Sequence, residues 1–248
     1  MTAILEHESG YKLCPESALV ADTLKTQGRP YEIAALSQLQ RDRVMTMDAS
    51  LVVGSIDFIK AALRQRQISL PEVSSYPQVL LPHLQREVSL STLWEVKARV
   101  ARGETLFVKP SERAKVFTGQ VVRDADDWRL QRIPGREPVW CGEVVSWKSE
   151  WRYYVVCHQI RTQALYEGDP TQVPELSVVE LAVQALAAVP GTPVSYAIDF
   201  GVLDSGLTAL IEMNDGFSIG AYGGVEPQAY LDMLQTRWIQ MITTGRDA

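Results

Sequence analysis

Val194 to Asp215 reads V-S-Y-A-I-D-F-G-V-L-D-S-G-L-T-A-L-I-E-M-N-D, two apolar runs meeting at Ser205-Gly206. A two-residue connection containing glycine is the usual tight hairpin loop. With Ser205-Gly206 as that loop, Asp204 pairs with Leu207 and Asp199 falls directly opposite Glu212. Side chains alternate along a strand, so Asn214 joins Glu212 and Asp199 on one face. The other face collects Ile198, Phe200, Val202, Ala209, Ile211 and Met213, which reads as a core-facing set. Two carboxylates and an amide oxygen thus share one side of a hairpin whose other side is apolar. Clustered oxygens of this kind suit magnesium, which takes a few carboxylates together with phosphate oxygens. A solvated hairpin face with incidental acids is the competing reading, because acidic side chains are mostly exposed.

At 248 residues the chain has room for one large domain or two small ones. Its formal charge of −6 argues against general nucleic-acid affinity. No apolar run is long enough for a membrane span and no charged-then-apolar signal segment opens the chain, so a cytoplasmic location is expected. Cys14, Cys141 and Cys157 are odd in number and lack C-x-x-C spacing, which points to neither a disulfide framework nor a zinc site. His7, His83 and His158 are scattered.

Outward from the hairpin, the chain divides by pattern. Glu16 to Gln27 is helix-like and stops at Gly28. Tyr31 to Leu36 and Ser50 to Val53 read as strands, and Ser55 to Arg66 carries Ile56, Ile59, Ala62 and Leu63 at helical spacing. That β–α–β–α order predicts a small α/β layer. Leu70 to Pro82 is a proline-bearing connector, and Ser91 to Gly103 a helix capped by Ser91 or Thr92. Thr105 to Lys109 is a short buried strand, and Ser111 to Gly119 a polar loop. Pro138 to Ser146, Glu150 to Val156 and Ile160 to Tyr166 are strands, and Pro174 to Val189 an apolar helix. Pro227 to Ile242 closes the chain as an amphipathic helix whose apolar face reads as core.

Four further features carry chemistry. Lys109 ends an apolar strand in F-V-K-P, and Lys115 follows six residues later. A lysine leaving a buried strand needs an anion, for which phosphate is a natural partner; a strand end reaching solvent is the alternative. Glu143 and Glu150 flank C-G-E-V-V-S-W-K-S-E, a segment able to lie beside a purine while Glu150 accepts from ribose hydroxyls. Arg152 shares a strand face with Glu150, and pairing back through His158-Gln159 brings Arg161 to that face. An exposed salt-bridge ladder would have the same pattern. Gly216, Gly220, Gly223 and Gly224 either let a ligand approach backbone amides or form a flexible link to the last helix. No G-x-S-x-G, Walker loop, H-E-x-x-H or Rossmann fingerprint is present. Cys157 and His158 are neighbours on an apparent strand and would point apart, so they make no nucleophilic pair.

A strand lysine, a loop lysine, E-x6-E, an arginine strand and D-x12-E-x-N follow one another in an order that resembles the ATP-grasp superfamily. The segments G-S-I-D-F-I at 54–59, F-V-K-P at 107–110, K-V-F-T-G at 115–119 and E-W-R at 150–152 look like the divergent clade named for one arginine and two lysines. That clade includes a eukaryotic cell-division-cycle protein that helps assemble a translation initiation factor. The likeness covers roughly residues 50 to 225.

The resemblance implies an α+β ATP-grasp fold, with nucleotide held between two α+β subdomains, over residues 87–248, and a smaller N-terminal α/β layer over residues 1–86. It makes Asp199, Glu212 and Asn214 magnesium ligands, Lys109 and Lys115 phosphate binders, Glu143, Val144 and Val145 the adenine hinge, and Glu150 the ribose acceptor. Arg152 and Arg161 then supply charge to the transition state, since Ala197 stands where an arginine precedes the metal aspartate in other ATP-grasp enzymes. The glycine-rich phosphate flap is reduced to Gly119, which passes more of its role to Lys115. The implied activity is an ADP-forming carboxylate–amine ligase using ATP and magnesium, with a small molecule, peptide or protein as acceptor. An ATP-binding assembly factor with little turnover and a phosphotransferase are the alternatives.

Overall fold

The computed structural model describes residues 2–8, 11–72, 74–111 and 117–245. Its first layer is a parallel sheet in the order β2-β1-β3, built from β1 (Ala3–Glu6), β2 (Tyr31–Ala34) and β3 (Leu51–Val53). The crossovers are α1 (Pro15–Thr26) between β1 and β2, and α2 (Leu36–Gln40) between β2 and β3. Gly28 follows α1 with φ +66°, a left-handed conformation that ends a helix without strain in glycine. After β3, α3 (Ile56–Gln65) starts at Ser55, whose hydroxyl accepts from the Phe58 amide at 3.3 Å.

A second, antiparallel sheet has the order β4-β7-β5-β6, from β4 (Val88–Thr92), β5 (Leu106–Pro110), β6 (Gln120–Val122) and β7 (Pro138–Glu143). Helix α4 (Leu93–Ala101) covers it through Leu93, Val96 and Val100. Thr92 and Glu95 close a reciprocal capping box that sets where this helix begins. The helix expected from Ser91 is thus preceded by a strand, because Ser89 and Ser91 pair with Cys141 and Val139 of β7.

The third sheet is antiparallel in the order β11-β10-β8-β9, from β8 (Trp147–Val156), β9 (Gln159–Gly168), β10 (Ser195–Leu203) and β11 (Thr208–Asp215). Every residue of β10 is buried. Helix α5 (Leu176–Ala187) packs on the face carrying Tyr153, Val155, Ile198 and Phe200. The opposite face, with Tyr154, Val156, Ala164 and Ala197, joins one core with the N-terminal sheet and α6 (Pro227–Thr244). Trp238 of α6 is fully buried in that core and donates to the Ala49 carbonyl at 3.3 Å. The last helix therefore glues the N-terminal layer, which precedes residue 87, to the third sheet.

The hairpin that decides the fold has a different turn from the expected one. Leu203 N–H donates to Leu207 at 2.9 Å, so the loop is Asp204-Ser205-Gly206, with Gly206 at φ +87°. That extra loop residue moves Phe200 opposite Leu210. A one-residue bulge at Ile211 then restores the pairing of Asp199 with Glu212. Leu210, rather than Ile211, fills the core beside Phe200 and Met213.

Two expectations fail at the β8–β9 connection. Cys157 and His158 form the tight turn itself, at φ 49° and 58°, instead of lying on a strand or leaving the turn to His158-Gln159. A bulge between Tyr154 and Val155 then leaves Arg161 unpaired and exposed on the edge strand.

Candidate active site

The site lies where the third sheet's core face turns from apolar to polar. Along β10, Ala197 belongs to the core, Asp199 carries the charge, and Gly201 leaves space. A Cβ at Gly201 would stand 2.5 Å from the Trp147 ring and 2.6 Å from the Ser149 carbonyl, so this position requires glycine. Asp199 is flanked by Arg152 on β8 and Glu212 on β11.

Arg152 holds Asp199 as a two-pronged pair, Nε to Oδ1 at 2.8 Å and Nη2 to Oδ2 at 2.7 Å. Both are buried, at 6% and 8% exposure. Burial pushes the Asp199 carboxyl up and Arg152 draws it back. Burial works to lower Arg152, but the Asp199 contact more than offsets it and keeps the guanidinium charged. Glu212 is paired with Lys109 of β5, across the gap between the second and third sheets. Burial raises the Glu212 carboxyl, the Lys109 charge outweighs it, and the net direction is down. The Lys109 ammonium also sits 4.5 Å from the Tyr76 ring centroid. Asn214 ties the two acids together, its Nδ2 lying 3.2 Å from Asp199 Oδ2 and 3.0 Å from Glu212 Oε1.

The glycine-rich segment after β11 folds over this cluster, and it offers carbonyls as well as amides. Gly220 accepts from Arg152 Nη1 at 3.4 Å and from the Tyr154 hydroxyl at 3.0 Å, while the Tyr222 ring lies 4.7 Å from the guanidinium. Ser218 donates to the Gly54 carbonyl at 2.7 Å, which joins the segment to the start of α3. Asp215 and Arg237 of α6 pair through Nε–Oδ1 at 2.5 Å and Nη2–Oδ2 at 2.7 Å, anchoring the end of β11.

Beside this cluster opens a cleft of about 1180 Å³, reaching from Lys109, Glu212 and Asn214 to Lys60 and Arg64 of α3. Asp199 stands behind it, screened by the other groups. Glu143 closes β7, and the 144–146 segment carries the chain from the second sheet to the third. Glu150 is half-buried on β8, with Glu167 opposite on β9. Burial, then repulsion from Glu167, Asp199 and Glu212, pushes its carboxyl up to about 7. Arg161 makes no hydrogen bond or ion pair with any described residue and does not join the cluster. Lys115 lies outside the described residues.

The family model of the ATP-grasp domain, clade family 2, matches residues 83–233. The chain belongs to this family. Its ATP-grasp fold is also that of solved structures at low sequence identity. D-cycloserine synthetase DcsG has a TM-score of 0.61 at 12% identity, covering 97% of this chain and 100% of that one. D-alanine–D-alanine ligase from Bacillus anthracis has a TM-score of 0.54 at 12% identity, covering 99% and 98%. ATP-grasp ligase PsnB, complexed with minimal precursor, Mg and ADP, has a TM-score of 0.51 at 14% identity, covering 95% and 97%. No curated protein matches the chain by sequence.

The side chains at the ATP-grasp site fit a magnesium ion by donor chemistry. Two carboxylates meet at one amide, and turning the Asn214 amide end for end would replace its nitrogen by oxygen. Each carboxylate oxygen keeps acceptor capacity beyond its present partner. Among the described residues no set of three or more histidine, cysteine, aspartate or glutamate side chains gathers into an all-protein cage. Magnesium often takes only one or two carboxylates and completes its shell with phosphate and water. Sequence reasoning did not find Tyr76, Tyr154, Tyr222, Arg86 or the Asp215–Arg237 pair. Their partners lie far along the chain, and no local pattern marks them.

Proposed function

We propose that this ATP-grasp protein is an ADP-forming ligase that joins a carboxylate to an amine through an acyl phosphate. The observation that carries this reading is the convergence of Lys109, Arg152, Asp199, Glu212 and Asn214 at the mouth of one cleft, from two different sheets. Four of these charges are present as two neutral pairs. A polyphosphate entering the cleft exchanges one pair for two better contacts, Lys109 turning to phosphate and Glu212 to the cation. The names of D-cycloserine synthetase and D-alanine–D-alanine ligase, and the Mg and ADP bound in the PsnB complex, support the same chemistry.

In this reading Asp199, Glu212 and Asn214 hold magnesium, which when bound neutralises phosphate charge. Lys109, and with it Lys115, binds the phosphates. Arg152 stays charged beside the transferring group and stabilises its developing charge. The hinge segment Glu143–Val145 runs beside the adenine and Glu150 accepts from the ribose. The substrate carboxylate oxygen attacks the terminal phosphorus and ADP leaves. The amine nitrogen then attacks the acyl carbon, and phosphate leaves as the C–N bond forms and the amine proton is lost. The cleft between the third sheet and α3 receives the acid and the amine.

Incubation with ATP, magnesium and candidate acid–amine pairs tests this, read by product analysis. Stoichiometric ADP, phosphate and amide are expected. AMP and pyrophosphate, or ATP binding with no turnover across a broad acid–amine panel, would reject the acyl-phosphate mechanism.

A further inference from the structure

The pairing of Asp199 with Glu212 depends on an irregularity that the hairpin turn does not supply. The three-residue loop pairs Val202, Gly201 and Phe200 with Thr208, Ala209 and Leu210. Continued without interruption, that register sets Ile211 opposite Asp199 and turns Glu212 toward the α5 side of the sheet. The bulge at Ile211 prevents this. A bulge leaves backbone groups out of the ladder, and these need partners from elsewhere.

Arg86 supplies them. Its Nη1 donates to the Leu210 carbonyl at 2.6 Å and to the Leu84 carbonyl at 3.0 Å, and its Nη2 to the Ile211 carbonyl at 3.3 Å. The same guanidinium lies 5.2 Å from the centroid of the Trp147 ring, which occupies the space left open by Gly201. The segment that carries Arg86 also covers the β11 edge further along, where Met213 N–H donates to the Ser75 carbonyl at 2.9 Å. One half-buried side chain thus touches the bulge, the connector and the first residue of β8 after the hinge.

We propose that Arg86 is a positioning residue that holds the β11 bulge, and through it sets Glu212 beside Asp199 for the metal. A lysine cannot replace it, because an ammonium on a single stem does not span three carbonyls fixed by a planar fork. The metal role rests on the ATP-site reading above; the register role does not.

The test uses R86M and R86K in the full-length chain, in two arms. In the ligand-free arm, NMR follows the cross-strand contact between Asp199 and Glu212, with thermal melting as the folding control. R86M is expected to melt cooperatively yet lose that contact, with R86K intermediate. In the ligand arm, ATP affinity is measured with magnesium titrated in and again in excess chelator. R86M is expected to raise the half-saturating magnesium concentration about tenfold, comparable to losing one charge-assisted hydrogen bond. Its chelator-state ATP affinity is expected to change by less than about twofold, since no nucleotide contact is removed.

An unchanged Asp199–Glu212 contact in R86M overturns the proposal. So does an equal loss of ATP affinity with and without magnesium. If R86M does not fold, wild-type behaviour of R86K in both arms has the same force. Failure of the wild-type protein to bind magnesium–ATP rejects the ATP-site reading instead, and the ligand-free arm still decides the role of Arg86.

Discussion

Replacing Glu150 by glutamine probes the electrostatics of the site through one titrating group. Glu150 faces Glu167 on β9 and the side-chain-free Gly201 on β10, so no cation sits directly across from it. Burial pushes its carboxyl from the ordinary 4.5 up to about 7; repulsion from Glu167, Asp199 and Glu212 adds to the rise, and Arg86 opposes it. Between those two values the folded protein keeps a proton that the unfolded chain releases. The stability contributed by this proton is fully present below about pH 4.5 and is lost as pH rises through about 7. The full shift corresponds to about 3 kcal/mol, and solvent screening of a half-buried group reduces it to ~1–2 kcal/mol. Glutamine has no such proton to lose. Relative to wild type, E150Q therefore gains ~1–2 kcal/mol between about pH 5 and about pH 8, or roughly 2–8 °C in Tm for a chain of this length. Paired thermal melts across that range measure the difference. Stability profiles that stay parallel within about 0.3 kcal/mol would refute the reasoning.

Three other outcomes follow from the same packing. D199N leaves the Arg152 guanidinium buried without its anion and costs ~3–5 kcal/mol in chemical denaturation, and D199N/R152M recovers part of the loss; no recovery in the double variant contradicts the pairing. G201A drives a methyl into the Trp147 ring and the Ser149 carbonyl, costing ~1–3 kcal/mol in urea unfolding, while a neutral result means the ring moves freely. R161A, at an exposed bulge, is expected to change stability by less than about 0.5 kcal/mol and ATP affinity by less than about twofold. A larger drop in affinity would assign Arg161 to the nucleotide site.

Much of the element order was legible because it rests on local physics. Helix α1 ends before Gly28, α3 begins at Ser55, and the Thr92–Glu95 box starts α4, each read from neighbouring residues. Strands β1, β4 and β6 were not recognised, although β1 is the central strand of its sheet. Each is only 3–5 residues long, and their sheet partners lie far off in sequence. Arg161 went astray because its face depended on a turn position, and both the turn and the following bulge differ from the expected ones.

Alternation with period two was sufficient, by itself, to put Glu150, Arg152, Asp199, Glu212 and Asn214 on one polar face. That part needs no tertiary contact, since side-chain direction is a property of the strand backbone. The exact pairing of Asp199 with Glu212 came out right for a reason invisible in the sequence. A loop one residue longer than expected and a bulge of one residue displace the register in opposite senses and cancel. Only the tertiary structure decided which cation faces which acid. Lys109 meets Glu212 across two sheets, Arg152 meets Asp199 within one, and Arg86 secures the bulge that aligns them. Ion pairs between distant segments form where packing brings their backbones together, and local patterns carry no record of that.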